Sequence, residues 1–201
     1  MFQNITVSFE RGRIYGIIGK NGAGKTVLLK CICGLLYVDT GIISVDGKVL
    51  GRDIDFAPNT GIIIETPSFL PYKSGIGNLR DLASIQRKIG IAEIIQTMNK
   101  VGLNPNNKKR VGTYSLGMRQ RLGIAQAIME DPDILILDEP MNGLDRRGTE
   151  EIRQLLLTLK SQGKTILLAS HNLEDIEILC DIVYEIDGGH LHSFGDYLAY
   201  D

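Results

Sequence analysis

The sequence lacks a basic excess, paired cysteine motifs and a long apolar run, and each absence excludes a class of protein. Its 201 residues carry a formal net charge of −2, whereas dedicated nucleic-acid binders usually show a clear excess of Lys and Arg. We therefore expect no nucleic-acid partner. The three cysteines, Cys31, Cys33 and Cys180, match no metal-binding or redox spacing, and we expect them to be buried free thiols.

The apolar runs of the sequence are all short. Ile134–Leu137 and Ile62–Ile64 are among the longest, and they fall far short of the ~20 residues that a membrane helix needs. The first residues also lack the basic start and apolar stretch of a signal peptide. If the protein serves a membrane, we expect it to dock onto other subunits.

What the sequence does contain is the pattern of one α/β domain. With 43% hydrophobic residues, the chain can bury a core of its own. Strands and helices alternate after two leading strands, Ile5–Phe9 and Ile14–Ile18, and this alternation predicts an α/β sheet. Residues 67–128 lack strand signals, so we expect a helical subdomain there, inserted into a core formed by residues 1–66 and 129–201.

Two hairpins predict a small antiparallel β part. Asp46-Gly47 lies between two short apolar strands, which is a strong signal for a tight turn. Near the end of the chain, Ile182–Ile186 and His190–Phe194 flank a second Gly-rich turn. We expect both pairs to form antiparallel ribbons.

A Gly-rich stretch between a predicted strand and a predicted helix has the spacing of a phosphate-binding loop. Gly19–Thr26 fits G-x-x-x-x-G-K-[ST], a pattern whose glycines let successive backbone N–H groups point at an anion. Lys25 can reach the β- and γ-phosphates and the Thr26 hydroxyl can bind Mg²⁺. The pattern predicts the core sheet of a P-loop NTPase (RecA-like). The expected nucleotide-binding residues are Gly19, Asn21, Gly22, Ala23, Gly24, Lys25 and Thr26.

Two carboxylates follow the aliphatic run Ile134–Leu137. Ligands of open α/β sheets bind at the carboxyl ends of strands, so Asp138 and Glu139 lie where chemistry is expected. Asp138 would hold Mg²⁺ and Glu139 would orient and deprotonate the attacking water. A charged strand end before a turn is the alternative, and the phosphate-binding loop makes hydrolysis the favoured interpretation.

The stretch Tyr114–Arg121, called the signature stretch below, resembles the Leu-Ser-Gly-Gly-Gln signature of the ABC ATPases. Ser115 and Gly117 match the family, whereas Leu116 and Met118 stand where it usually has Gly and Gln. The resemblance covers essentially the whole chain. It implies that the start of this helix faces the γ-phosphate of ATP held by another subunit, so that a head-to-tail dimer encloses two ATP molecules.

The resemblance also implies roles for further residues. Asn142–Asp145 looks like the D-loop of the dimer interface, with Asp145 near nucleotide, and His171 looks like the switch histidine that hydrogen-bonds the γ-phosphate. With Lys25 and Glu139, His171 completes the expected catalytic set. The implied partners are a second ATPase subunit, in the simplest case an identical one, and separate membrane-spanning permease subunits. The implied location is the cytoplasmic side of a bacterial plasma membrane.

Two departures from the family pattern lead to expectations of their own. Glu65 stands where ABC ATPases usually have the Q-loop Gln, so we expect Thr26, Glu65 and Asp138 around Mg²⁺, with a solvent-facing Glu65 as the alternative. Phe2 and Phe9 are the only phenylalanines before the phosphate-binding loop, and neither is in the register of the family's adenine-stacking aromatic, so either adenine stacking is absent or the start is truncated. Because stacking on an aromatic is worth ~1–3 kcal/mol, we expect weaker ATP binding than in relatives and poor discrimination against GTP.

One branch of the family fits best. Ile64–Phe69, together with the signature stretch, is similar to bacitracin- and lantibiotic-type exporter ATPases, which implies ATP-driven export of a peptide antibiotic or a related amphipathic compound. One alternative is a regulatory module that binds nucleotide with little turnover. Another is a soluble ABC ATPase acting on ribosomes or DNA, but such proteins usually carry two cassettes or a coiled-coil insertion.

Overall fold

The computed structural model describes residues 2–196, so the ends of the predicted domain, Met1 and 197–201, lie outside it. Among these residues six strands form one sheet and two form a separate hairpin. The strands are β1 Ile14–Ile18, β2 Ser44–Val45, β3 Lys48–Val49, β4 Thr60–Ile63, β5 Ile134–Asp138, β6 Thr165–Ala169, β7 Ile182–Asp187 and β8 His190–Asp196.

The helices mostly begin at residues whose side chains satisfy the free N–H groups of a first turn. Ser74, Ser115, Asp145 and Asn172 each accept such a bond. A short 3-10 helix, Val111–Thr113, precedes the signature stretch. The α-helices are α1 Lys25–Cys33, α2 Gly75–Gln86, α3 Ile91–Lys100, α4 Leu116–Ile128, α5 Arg146–Ser161 and α6 Leu173–Leu179.

The large sheet has the order β4-β5-β6-β1-β7-β8, in which neighbours are parallel except for the antiparallel pair β7 and β8. Ala169 is the register partner of both Ile17 and Asp138. The loop after β1 and the carboxylates after β5 therefore leave the sheet at the same edge. The predicted α/β fold is confirmed.

Helices cover both faces of the sheet, which explains why its central strands are apolar without interruption. Ile14 of β1 belongs to the apolar cluster beneath α4, α5 and α6, whereas Tyr15 and Ile17 belong to the cluster beneath α1. The alternation follows from the strand geometry, because successive side chains point to opposite faces.

The helices α2, α3 and α4 lie within residues 67–128, and α4 packs directly against the sheet. A Cβ at Gly61 of β4 would lie 1.9 Å from the carbonyl oxygen of Ala127 in α4. No larger residue fits there. Residues of α2, α3 and α4 also share one apolar cluster with β1, β5 and β6. The division into a core and a helical subdomain at 67–128 therefore remains a proposal.

The predicted strand Ile5–Phe9 is wrong. The segment alternates between half-buried and exposed residues but belongs to neither sheet. Its alternation reflects contact with the sheet face: the Phe9 ring meets Tyr15 edge-on, with ring centroids 4.9 Å apart. β1 is paired on both sides, with β6 and β7, so the segment finds no strand edge there.

Both predicted hairpins and the expected free thiols are confirmed. Asp46 and Gly47 have φ angles of 50° and 78°, the positive values that a tight two-residue turn requires. All three cysteines are buried and unbonded to one another, and burial raises the pKa of each thiol. Within residues 2–196, no helix combines the length and apolarity needed to span a bilayer.

Candidate functional site

The phosphate-binding loop bends back on itself between β1 and α1. Gly22 and Gly24 have φ angles of 81° and 109°, which side-chain-bearing residues rarely adopt. Lys25 is 7% exposed and its Nζ donates to the Gly19 carbonyl oxygen at 2.7 Å. Its ammonium therefore lies inside the loop, where a phosphate on the backbone N–H groups would meet it.

The predicted Mg²⁺ ligands Thr26 and Asp138 are in direct contact. The Thr26 Oγ1 donates to Asp138 Oδ2 at 2.6 Å, although the two residues come from α1 and β5. Asp138 is 7% exposed. A hydroxyl and one carboxylate are the protein oxygens that Mg²⁺ typically takes beside substrate phosphates and water. The pair therefore fits a magnesium ion.

Glu139 lies at a strained corner directly after β5. Its φ angle is 50°, a left-handed value that a residue with a side chain adopts at a cost of about 1–3 kcal/mol, often at functional sites. The corner turns its carboxylate toward His171, whose Nδ1 is 2.8 Å from Glu139 Oε2. The structure thus brings together the two residues predicted to act on the attacking water and the γ-phosphate.

The signature stretch begins α4 and lies against the segment that follows the carboxylates. Ser115 Oγ accepts from the Met118 N–H at 3.2 Å, as expected of a residue at a helix start. The Leu116 side chain packs onto Gly143, and a Cβ at Gly117 would lie 2.9 Å from the Gly143 carbonyl oxygen. Within this chain the signature stretch therefore contacts the D-loop-like segment.

Two predicted site residues have partners that the sequence did not indicate. Asp145 Oδ1 accepts from the Gly148 N–H at 2.7 Å, so its carboxylate caps α5. Glu65 has a φ angle of 61°, and its Oε1 lies 2.5 Å from the Lys30 Nζ of α1. The Glu65 side chain is 64% exposed and pairs with a cation, and it lines the same cleft as Thr26 and Asp138. Its role beside Mg²⁺ stays a prediction.

These elements enclose an open cleft of about 690 Å³ at the edge of the sheet. Over the described part of the chain, no group of three or more His, Cys, Asp or Glu residues could hold a metal, so a cation here would need oxygen ligands from phosphate and water. The residues that line the cleft are Asn21, Gly22, Gly24, Lys25, Thr26, Val27, Glu65, Thr66, Leu116, Gln120, Asp138, Glu139, Asn142 and Gly143.

Sequence reasoning missed Gln120 and Lys30. Gln120 is a polar residue on the buried face of α4, 6% exposed, and a buried amide needs hydrogen-bond partners. That mismatch was the available signal. Lys30 carried no signal, because a lysine in the last turn of a helix is ordinary.

The two phenylalanines before the loop occupy different places. A Cβ at Gly24 would lie 2.8 Å from the Phe2 ring, so Phe2 packs on the phosphate-binding loop itself. Phe9 packs on Tyr15 and Tyr184 over the sheet.

The chain matches a model of a known protein family. The family model described as "ABC transporter" matches residues 2–142 of this chain, a range that contains the phosphate-binding loop, the signature stretch and both carboxylates.

Three named relatives are 38% to 43% identical to this chain over the aligned residues. The ABC transporter ATP-binding protein YybJ of Bacillus subtilis is 43% identical over 96% of this chain and 88% of its own length. The bacitracin transport ATP-binding protein BcrA of Enterococcus faecalis is 40% identical over 93% of this chain, which spans 61% of BcrA. The lantibiotic transport ATP-binding protein SrtF of Streptococcus pyogenes is 38% identical over 91% of this chain and 79% of SrtF.

Solved structures share the fold. The dimeric ATP-binding cassette MJ0796 in a post-hydrolysis state with ADP and Pi superposes with a TM-score of 0.85 at 21% identity, over 96% of this chain and 90% of that one. An ATP-binding subunit of an ABC transporter superposes with a TM-score of 0.84 at 27% identity, over 96% of this chain and 83% of that one.

Proposed function

Because this chain belongs to the ABC transporter family of ATP-hydrolysing transport ATPases, we propose that it powers export of a peptide antibiotic or a related amphipathic compound. The named relatives BcrA and SrtF serve bacitracin and lantibiotic transport, which supports this cargo class. In this proposal the cargo crosses through separate membrane-spanning subunits. The chain would act at the cytoplasmic face of the membrane.

The observation that carries the reaction is the meeting of loop, carboxylates and histidine at one sheet edge. In this proposal the loop N–H groups and Lys25 bind the β- and γ-phosphates, and Thr26 and Asp138 hold Mg²⁺. The ion would neutralise charge on the phosphates. Phosphoryl transfer then needs little beyond in-line positioning of water, for which Glu139 is the base.

His171 and Glu139 have separate roles in this proposal. His171 Nδ1 is 2.8 Å from the Glu139 carboxylate, so the histidine holds the carboxylate in place while its exposed ring edge is free to meet the γ-phosphate. The Glu139 side chain is 23% exposed. Water can therefore reach the carboxylate, and in this proposal Glu139 orients and deprotonates the attacking water.

The signature stretch would complete the site of a second, identical cassette. Ser115 and Gly117 start α4, and the N-terminal end of a helix favours an anion. Across a head-to-tail dimer they would face the γ-phosphate held by the other loop. Asp145, at the start of α5, would lie in the same interface. The dimeric form of the cassette MJ0796 supports an assembly of two cassettes.

Replacing the proposed base tests the reaction. Glu139→Gln keeps the shape of the side chain but removes the base, so Mg²⁺-dependent ATP turnover should fall by about 10²–10⁴-fold while ATP binding persists. Lys25→Ala should abolish both ATP binding and turnover. If the wild-type protein turns over as slowly as Glu139→Gln, even with its permease, the protein is a nucleotide-binding regulatory module and the proposal is wrong.

A further inference from the structure

We infer that Gln120 is a positioning residue for Glu139: its amide holds the backbone of the catalytic corner and ties that corner to the signature helix α4. The inference rests on the proposed function, in which Glu139 is the base. Gln120 itself touches no reacting atom. It acts through the carbonyl groups to which it is bonded.

The amide of Gln120 spans two consecutive peptide groups of the corner. Its Nε2 donates to the Glu139 carbonyl oxygen at 3.2 Å and to the Pro140 carbonyl oxygen at 3.0 Å. The residue is 6% exposed, so water competes little for either bond. Buried hydrogen bonds of this kind are costly to leave unmade, at about 1–3 kcal/mol for each polar group left without a partner.

The corner needs such a support because its backbone is strained. Glu139 has a φ angle of 50°, and a left-handed residue with a side chain persists only where its surroundings over-determine it. Two backbone bonds contribute: the Glu139 N–H donates to Ala169 O at 2.9 Å, and the Asn142 N–H donates to Glu139 O at 3.1 Å. The hydrogen bonds of Gln120 add a constraint on this backbone from α4, which belongs to neither the strands nor the turn.

The same helix reaches the corner at a second point. Leu116 packs onto Gly143, and Gly117 approaches the Gly143 carbonyl oxygen. Gln120 lies on the next turn of α4, on the side that faces Pro140. One rigid helix therefore links Ser115, the proposed contact to the nucleotide of the other cassette, with the backbone of this cassette's own base. A shift of α4 relative to the sheet must move Gln120 and thereby change the orientation of the Glu139 carboxylate.

If the Gln120 amide served stability alone, its removal would lower stability and leave catalysis unchanged. The test therefore measures both. Gln120→Met has a similar volume and no donor, so both carbonyl groups lose their side-chain partner. The matched control is Asn78→Leu. Asn78 is a buried amide of α2, 4% exposed, whose bonds go to Leu70 and Ser74, away from the cleft.

The measurements are ATP turnover at saturating Mg-ATP, the KM for ATP, and thermal unfolding of the full chain. Gln120→Met should lower kcat by about 10-fold or more, because misplacing a catalytic group by about 1 Å can cost 10²-fold, while KM stays within about twofold. Asn78→Leu should lose comparable stability and keep the wild-type kcat. In the Glu139→Gln background, Gln120→Met should have no further effect on kcat, because both changes act on one group.

The outcomes separate this inference from the proposed function. If wild type hydrolyses ATP and Gln120→Met retains its kcat, or if Asn78→Leu loses as much, the inference is overturned and the proposed function stands. If wild type does not hydrolyse ATP, the proposed function fails. The positioning is then decided by NMR of the His171 imidazole, whose resonances should move in Gln120→Met and not in Asn78→Leu. Unmoved resonances overturn it.

Discussion

A buried ion pair between α5 and α6 should be essential for stability and for the setting of His171. The Arg153 side chain is 6% exposed and that of Asp175 is 2% exposed. Arg153 Nε and Nη2 both donate to Asp175 Oδ1, at 2.9 and 2.5 Å. The other carboxylate oxygen of Asp175 accepts from Ser170 Oγ at 3.4 Å, and Ser170 directly precedes His171. The pair therefore fixes the turn from which His171 reaches Glu139.

The cost of breaking this pair follows from its burial. Arg153→Met leaves the Asp175 carboxylate buried without its cation, and such changes cost about 3–5 kcal/mol. Each kcal/mol lowers Tm by roughly 2–4 °C in a domain of this size, so the expected fall in Tm is about 6–20 °C. The bond from Arg153 to Glu174 adds little, because the Glu174 side chain is 67% exposed and solvent screens exposed ion pairs.

Thermal unfolding followed by circular dichroism measures the effect, with Arg147→Met as the matched control. Arg147 lies on the same helix, and its side chain is 88% exposed and paired with Glu151, so its loss should cost no more than about 0.5 kcal/mol. The double change Arg153→Met with Asp175→Leu removes both charges and should recover much of the stability. If the Tm of Arg153→Met lies within about 2 °C of the Tm of Arg147→Met, the assigned role of the buried pair is wrong.

Two further predictions concern exposed carboxylates. Glu65→Gln should shift the Mg²⁺ dependence of hydrolysis, because it removes a negative charge at the edge of the cleft and releases Lys30. The free energy of unfolding should change by no more than about 1 kcal/mol. Lys30→Met is the control for the ion pair, and an unchanged Mg²⁺ titration of Glu65→Gln would count against the expectation. The Arg121 and Arg147 guanidinium groups lower the pKa of Glu151, so this carboxylate stabilises the folded state above its ordinary pKa and loses that contribution as pH falls through the lowered pKa. Glu151→Gln should therefore lower the free energy of unfolding by up to about 1 kcal/mol at pH 7 and leave it unchanged in strong acid. Urea unfolding at the two pH values measures this difference, and an equal loss at both would show that the reasoning is wrong.

The sequence alone determined the fold class and the two halves of the catalytic chemistry. Gly19–Thr26 and Asp138-Glu139 are short, contiguous patterns, and the strands before them are marked by uninterrupted apolar residues. Local sequence suffices here because backbone N–H groups of one loop bind phosphate, and because parallel strands bring their carboxyl ends to a common edge. The helix start at Ser115 was predictable for the same reason, since a cap involves residues only three apart.

Long-range contacts were decided by the tertiary structure. Ile5–Phe9 alternates like a strand, but strand pairing needs a free neighbouring edge, and only the sheet order shows that β1 has none. Gln120 and Lys30 form hydrogen bonds with residues 19 and 35 positions away in the chain, so no local pattern could identify their partners. Each of these contacts joins a helix to a corner after a strand, and its geometry depends on how the helices pack on the sheet. A site formed by one loop can be predicted from the local sequence, whereas the orientation of a side chain toward a distant segment depends on how the helices pack.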